Sequence, residues 1–258
     1  MIKAVFFDVD GTLLSEIDRS LSPRTAESIR ELIRKGVQVV LVTGRPYNLC
    51  EEFRNLGIDT IISANGALIK AGDEVIHKSV LSAQMVRTFS EFAELQRHSI
   101  SYFTESFETN GLCTGDGRVT DALRDTLGLM DSPQKISTLE QDVYCICLYA
   151  DEAETEKFQS RFPSLRFVRF HPYVVNVLEA SEVSKFIAAE KVLDYLKISR
   201  EDTMAFGDGE NDVDLLVYAG IGIAMGNGGE RIKQSADYVT LWASEDGVTH
   251  ALKQFKIL

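Results

Sequence analysis

Two carboxylates close the first apolar run of the chain. Ala4-Val5-Phe6-Phe7 leads straight into Asp8-Val9-Asp10-Gly11-Thr12. Strand side chains alternate between faces, so Asp8 and Asp10 face the same way and can reach one site. Taken alone, the pair could equally be loop acids that cap the next helix or turn. Other strand ends argue against that. Thr43-Gly44-Arg45 follows one apolar run, and Gly207-Asp208-Gly209-Glu210-Asn211-Asp212 follows another. A hydroxyl and two more acids then share one sheet edge with Asp8 and Asp10. Four carboxylates at one site cannot all stay ionised without a cation, and hard oxygen ligands with few protein contacts suit Mg2+. An anionic ligand also needs a fixed positive group. Lys185, at the start of a helical pattern, is the candidate. An isolated lysine there would be read as a solvated helix residue, but the surrounding constellation overrides that reading.

The elements that must position these groups are visible in the pattern. Ile2–Val9 reads as a short, continuously apolar strand, of the kind buried on both faces of a parallel sheet. Ser22 and Pro23 supply an N-cap and a first helical position, and Gly36 a stop. A second strand ends at Thr43, and a short strand at Thr60–Ser63 and a hairpin over Ala67–Lys78 follow. Strand–helix alternation implies right-handed crossovers and a doubly wound, mostly parallel, Rossmann-like α/β sheet. The alternation loosens over residues 82–180, which read as an inserted α+β domain of ordinary size. It resumes at about Ser184. The expected organisation is therefore a core of residues 1–81 and 181–258 with an insertion at 82–180.

Bulk properties fit this picture. The chain has 258 residues, 45% hydrophobic and 26% charged, with a formal net charge of −12. Neither the core nor the insertion presents a basic footprint, so nucleic acid is not an expected partner. No apolar run reaches the length of a membrane span. Asp8 and Asp10 interrupt any basic-then-apolar leader, so a cytoplasmic protein is expected. Cys50, Cys113, Cys145 and Cys147 form no Cys-x-x-Cys pair and read as packed thiols.

The ordered motifs resemble the haloacid dehalogenase superfamily, in its Cof-like branch of sugar-phosphate phosphatases with a large inserted cap. Asp8-Val9-Asp10-Gly11-Thr12-Leu13-Leu14, Thr43-Gly44-Arg45, Lys185 and Gly207-Asp208-Gly209-Glu210-Asn211-Asp212 match its four motifs in order. Asn65-Gly66 and Gly222-Ile223-Ala224-Met225-Gly226-Asn227 are similar to stretches typical of the branch. Many relatives carry Gly where this chain has Phe186. The resemblance implies that Asp8 is a nucleophile forming an aspartyl-phosphate and Asp10 the general acid/base. It implies Mg2+ held by Asp8, Asp208 and the Asp10 carbonyl. Thr43 and the Gly44 N–H are implied on the phosphoryl oxygens, and Lys185 on Asp8. Asp212 and Asn211 are implied as support for the metal, the lysine or the phosphate. Arg45 and Asn65 from the core, and Arg169, His171 and Asn176 from the cap, are candidates for substrate contact. The expected ligand is a small phosphorylated metabolite, with sugar phosphates as the class. A monomer is the default, because a cap can close a site without a partner subunit.

Two alternatives stand beside a hydrolase. A phosphotransferase or mutase of the phosphomannomutase type would use the same intermediate but return the phosphoryl group to a sugar. A non-catalytic protein could keep the fold and merely bind phosphosugars. Haloalkanoate dehalogenation needs neither the metal nor a second acid at Asp10, and is disfavoured.

Overall fold

A computed structural model describes residues 1–104, 106–112, 116–131, 133–136, 140–179 and 183–258. Cys113 and the expected boundary at 180/181 lie outside the described residues. In chain order the first elements are β1 (Ala4–Phe7), α1 (Pro23–Arg34), β2 (Gln38–Val42), α2 (Glu51–Arg54), β3 (Thr60–Ser63), β4 (Leu68–Ala71) and β5 (Glu74–Lys78). There follow α3 (Ala83–Leu95), β6 (Ile100–Phe103), β7 (Phe107–Thr109), α4 (Gly117–Leu127), β8 (Cys145–Leu148), α5 (Glu152–Arg161), β9 (Leu165–His171) and β10 (Val174–Glu179). The chain closes with α6 (Lys185–Leu196), β11 (Thr203–Gly207), α7 (Val213–Tyr218), β12 (Ile221–Ala224), α8 (Glu230–Ser235), β13 (Tyr238–Val239) and α9 (Gly247–Gln254).

Two compact units result. The first comprises Met1–Thr43, Cys50–His77 and Ser184–Leu258, the second Gly44–Leu49 and Lys78–Val183. Residues 44–49, which the sequence groups with the core segment, fall in the second unit, where the Asn176 side-chain amide donates to Gly44 O at 3.4 Å.

The first unit is built on one sheet in the order β13-β12-β11-β1-β2-β3-β4-β5. Neighbours from β13 to β3 run parallel, and β4 turns back antiparallel on β3. This is the expected doubly wound α/β sheet. Its central strands are apolar on both faces because both are covered. Ala4, Phe6, Val40, Val42 and Ile62 pack with Ala188, Ala189, Val192 and Leu193 of α6 and Leu215 and Leu216 of α7. Val5, Phe7, Val39 and Leu41, with the opposite orientation, are buried as well. At roughly 25 cal/mol per Å² of apolar surface, such burial supplies the main drive for assembly. Helix starts follow the sequence: Ser22 Oγ accepts from the Thr25 N–H and Pro23 opens α1, while Ser184 Oγ accepts from the Ile187 N–H at the head of α6.

The second unit holds an antiparallel sheet, β7-β6-β8-β10-β9. Phe89 of α3 and Phe158 of α5 sit 5.3 Å apart between ring centres, over Ile100, Tyr102, Ile146, Leu148, Val175 and Val177. The strand β7 falls in a stretch the sequence leaves irregular.

Candidate active site

The acids meet because the register of the parallel sheet brings their strand ends together. Phe7 is paired with Phe206, and the Asp8 N–H donates to Phe206 O at 3.1 Å. Asp8 and Asp208 then leave adjacent strands at the same edge. The turn after β11 folds back so that Asp212 Oδ2 accepts the Gly209 N–H at 3.0 Å. Carboxylate oxygens of Asp8, Asp208 and Asp212 all lie within 4.8 Å of one another.

Lys185 opens α6 directly against this cluster. Its Nζ donates to Asp8 Oδ1 and to Asp212 Oδ1, each at 2.5 Å, and the residue is only 2% exposed. A buried ammonium without partners would be strongly disfavoured, so the lysine belongs to the acids and not to the solvated helix face. Burial alone would lower its pKa, but Asp212 and Asp8 outweigh that and raise it. Burial pushes the Asp8 carboxyl well above the usual carboxylate range, and Asp212 and Asp208 add to the push while Lys185 opposes it. Burial first, and Asp212 next, push Asp208 up to about 7. Three carboxylates against one ammonium leave the site short of positive charge, which favours the protonated forms of Asp8 and Asp208.

The donor set fits a hard divalent cation: three carboxylates, oxygen only, gathered at one point. The surroundings also orient it. Asp208 accepts from Thr12 Oγ1 at 3.4 Å and from Asn227 Nδ2 at 3.3 Å, and Asn227 Nδ2 donates to Gly11 O at 2.8 Å. Gly11 has φ +79°, and a Cβ there would stand 2.2 Å from Asp208 Oδ2, so the acid occupies space that only glycine leaves. The sequence gives no role to Thr12 or Asn227, although both stand inside recognised motifs.

The remaining expected residues are distributed unevenly. Asp10 does not join the acidic cluster; its half-exposed carboxylate is ion-paired with Arg19 Nη2 at 2.7 Å. Thr43 is fully buried at the end of β2, and its carbonyl accepts the Asn65 N–H at 3.0 Å. Asn65 Oδ1 accepts from Asn211 Nδ2 at 3.0 Å. Ala64 and Asn65 both have left-handed backbones, φ 48° and 55°, in a buried turn. Phe186, beside the lysine, packs edge-on against Tyr218 with ring centres 4.9 Å apart.

Gly44, Arg45, Arg169, His171 and Asn176 lie in the second unit. Arg45 is buried. Arg169 is committed to its own unit: its terminal nitrogens donate to Ala150 O, Asp151 O, His171 O, Pro172 O and Thr155 Oγ1. His171 Nδ1 accepts the Tyr173 N–H at 3.2 Å. Asn176 is fully buried and its Oδ1 lacks a hydrogen-bond partner among the described residues.

Known proteins resemble the chain over nearly its whole length. The family model for haloacid dehalogenase-like hydrolases matches residues 5–252. A 5-amino-6-(5-phospho-D-ribitylamino)uracil phosphatase, YitU, of Bacillus subtilis is 29% identical over 97% of this chain and 96% of its own length. The solved structure of BT4131, titled a subclass IIB sugar phosphatase of the superfamily, superposes with a TM-score of 0.86 at 32% identity. The match covers 99% of this chain and 100% of that one. BT1666 from Bacteroides thetaiotaomicron, described among phosphatases of the superfamily, superposes with a TM-score of 0.86 at 30% identity, covering 100% and 96%.

Proposed function

The chain belongs to the haloacid dehalogenase-like hydrolase family, and from that premise we propose that it hydrolyses small sugar-like phosphate monoesters through an aspartyl-phosphate on Asp8. That it is a phosphatase rests on the family and its relatives. The observation carrying the mechanism is the placement of Lys185 Nζ, 2.5 Å from both Asp8 and Asp212 inside a buried acidic cluster. The fixed ammonium favours the ionised form of Asp8 against the burial that opposes it, and it aims the carboxylate, as a nucleophile requires.

In this reading Asp8 attacks phosphorus and forms an acyl phosphate as the bond to the leaving oxygen breaks. Asp10 gives its proton to that oxygen, and the alcohol departs. Asp10, now ionised, takes a proton from water as the water attacks the acyl phosphate, which returns Asp8 and phosphate. Lys185 balances charge on Asp8 throughout, and Thr43 lies at the same sheet edge to donate to a phosphoryl oxygen. Asp8 and Asp208, with the Asp10 carbonyl, are the residues that would hold Mg2+, while Asp212 holds the lysine. Bound there, the ion supplies the positive charge that phosphoryl transfer demands.

A phosphorylated sugar or sugar alcohol is the substrate class, supported by what the relatives' names say they act on. We ascribe the choice among such substrates to the second unit, where Asn176 offers an unengaged amide oxygen and Arg169 does not offer a free guanidinium.

The test is phosphate release from a panel of hexose, pentose and sugar-alcohol phosphates, with Mg2+, with chelator, and with the Asp8→Asn protein. Release that needs Mg2+ and is lost in Asp8→Asn is the expected result. Release undiminished in Asp8→Asn overturns the nucleophile, and release undiminished in chelator overturns the metal. Phosphate moved to a second sugar instead of water would replace the hydrolase with a transferase.

A further inference from the structure

Asp10 stands outside the group formed by Asp8, Asp208 and Asp212, and its carboxylate is paired with Arg19 at 2.7 Å. Arg19 lies in a segment that no motif covers. The chain between Leu14 and Leu21 forms a short hairpin: Asp10 bridges Leu14 in parallel, and Leu14 bridges Leu21 antiparallel. The tip is locked from within. Ser15 N–H donates to Ser20 O and Arg19 N–H to Ser15 O, both at 2.9 Å. Ser15 Oγ accepts from the Ile17 and Asp18 amides, and Asp18 Oδ1 accepts from the Ser20 amide and hydroxyl. Glu16 ties the tip to the Ser244 amide at 3.1 Å. Arg19 itself has a left-handed backbone, φ 59°, a conformation that costs a residue with a Cβ of order 1 kcal/mol and persists only where surrounding contacts enforce it. The outcome of this local order is a guanidinium held over Asp10.

We infer that Arg19 is a positioning residue for Asp10, fixing its carboxyl beside the reacting centre but apart from Asp8, Asp208 and Asp212. In the ionised form that takes a proton from water, Asp10 is a fourth charge next to an already undercompensated cluster, and without an opposing cation repulsion would drive its side chain out into solvent. A guanidinium, with its planar fork of donors, sets direction as well as charge. This assignment rests on the phosphatase reading above and adds to it the residue that aims the proton donor.

Leaving-group chemistry tests it. Expulsion of phenoxide from phenyl phosphate gains from a proton delivered by Asp10, whereas p-nitrophenolate departs with little help. The measured quantity is kcat/KM, which reports the steps up to loss of the leaving group, for both esters with Mg2+. We expect Arg19→Gln to lower kcat/KM for phenyl phosphate about ten-fold more than for p-nitrophenyl phosphate, a part of the roughly 10²–10⁴-fold that general acid catalysis supplies. Arg19→Lys should recover part of the difference. A crystal structure of Arg19→Gln should show the Asp10 carboxyl displaced. Equal losses on both esters, or no loss, with Asp10 unmoved, would overturn the role of Arg19 while leaving the phosphatase intact. A wild-type protein that releases phosphate neither from these esters nor from the sugar phosphates of the panel above would overturn the phosphatase reading itself, and this assignment with it.

Discussion

Lys185 Nζ lies 2.5 Å from Asp8 Oδ1, joining the end of β1 to the start of α6 across 177 positions of sequence. The pair is buried, with side chains 2% and 8% exposed. Burial of this kind makes the lysine indispensable to its partners. Removing one member of a buried ion pair leaves an uncompensated charge and typically costs about 3–5 kcal/mol. Lys185→Met, which keeps the length and loses the charge, should lower unfolding free energy at pH 8 by that order and abolish turnover. Urea unfolding with chelator present measures the first effect. A variant as stable as wild type at pH 8 would show that the acids do not depend on the lysine.

The same imbalance makes stability depend on pH. Burial, then Asp212, hold Asp208 near 7 in the folded protein, against an ordinary value of 3.8. The unfolded chain therefore gives up this proton first as pH rises. Between about 4 and 7 the folded state binds the extra proton, so stability falls as pH rises through this window and levels off above it. The contribution from Asp208 is on the order of 4 kcal/mol over the window. Without metal, wild-type protein should lose stability relative to Asp208→Asn between pH 5 and pH 8, and Mg2+ should restore more at pH 8 than at pH 5. A constant difference between the two proteins across this range would contradict the shift.

Why some of this is legible in sequence and some is not follows from how far each signal reaches. Asp8, Asp208 and Lys185 each end a strand or open a helix, and strands and helices announce themselves through local periodicity and caps. Parallel register then does the rest, because Phe7 against Phe206 necessarily sets Asp8 near Asp208. Thr12, Asn227 and Arg19 act through loop conformations fixed by distant contacts, such as the Asn227 bond to Gly11 O across 216 positions. Thr12 and Asn227 fall inside local motifs, but no local pattern shows which distant groups these three residues reach. The strands β7 and β13, of three and two residues, are too short for alternation to register. In the second unit Arg169 carries the charge expected of a ligand-binding residue, but its guanidinium is spent on the carbonyls of its own chain.

Gly11 tests the cradle around Asp208. Its φ of +79° suits glycine, and an added Cβ would overlap Asp208 Oδ2 at 2.2 Å. Gly11→Ala should destabilise the protein by about 1–2 kcal/mol from backbone strain. The displaced carboxylate should also raise the Mg2+ concentration needed for half-maximal turnover, whereas a purely structural defect would leave the metal requirement unchanged. Metal titrations of both proteins decide between these outcomes.

Asn65 and Asn211 form the last link, a 3.0 Å amide-to-amide hydrogen bond between the turn after β3 and the turn after β11. The turn at Ala64-Asn65 is held left-handed in the interior, and its backbone is tied to Thr43. Strain of this kind persists only where its surroundings fix it, so the bond should hold Asn211 in place as much as it holds the turn. Asn65→Ala leaves the Asn211 amide without its acceptor and puts a less tolerant residue at φ 55°. It should cost about 1–3 kcal/mol. Asn211→Ala should cost less, because its backbone is unstrained. In a double-mutant cycle the two changes should couple by about 0.5–1.5 kcal/mol. Additive losses would show that the bond contributes no net stability and that the left-handed turn is fixed by Thr43 and its neighbours alone.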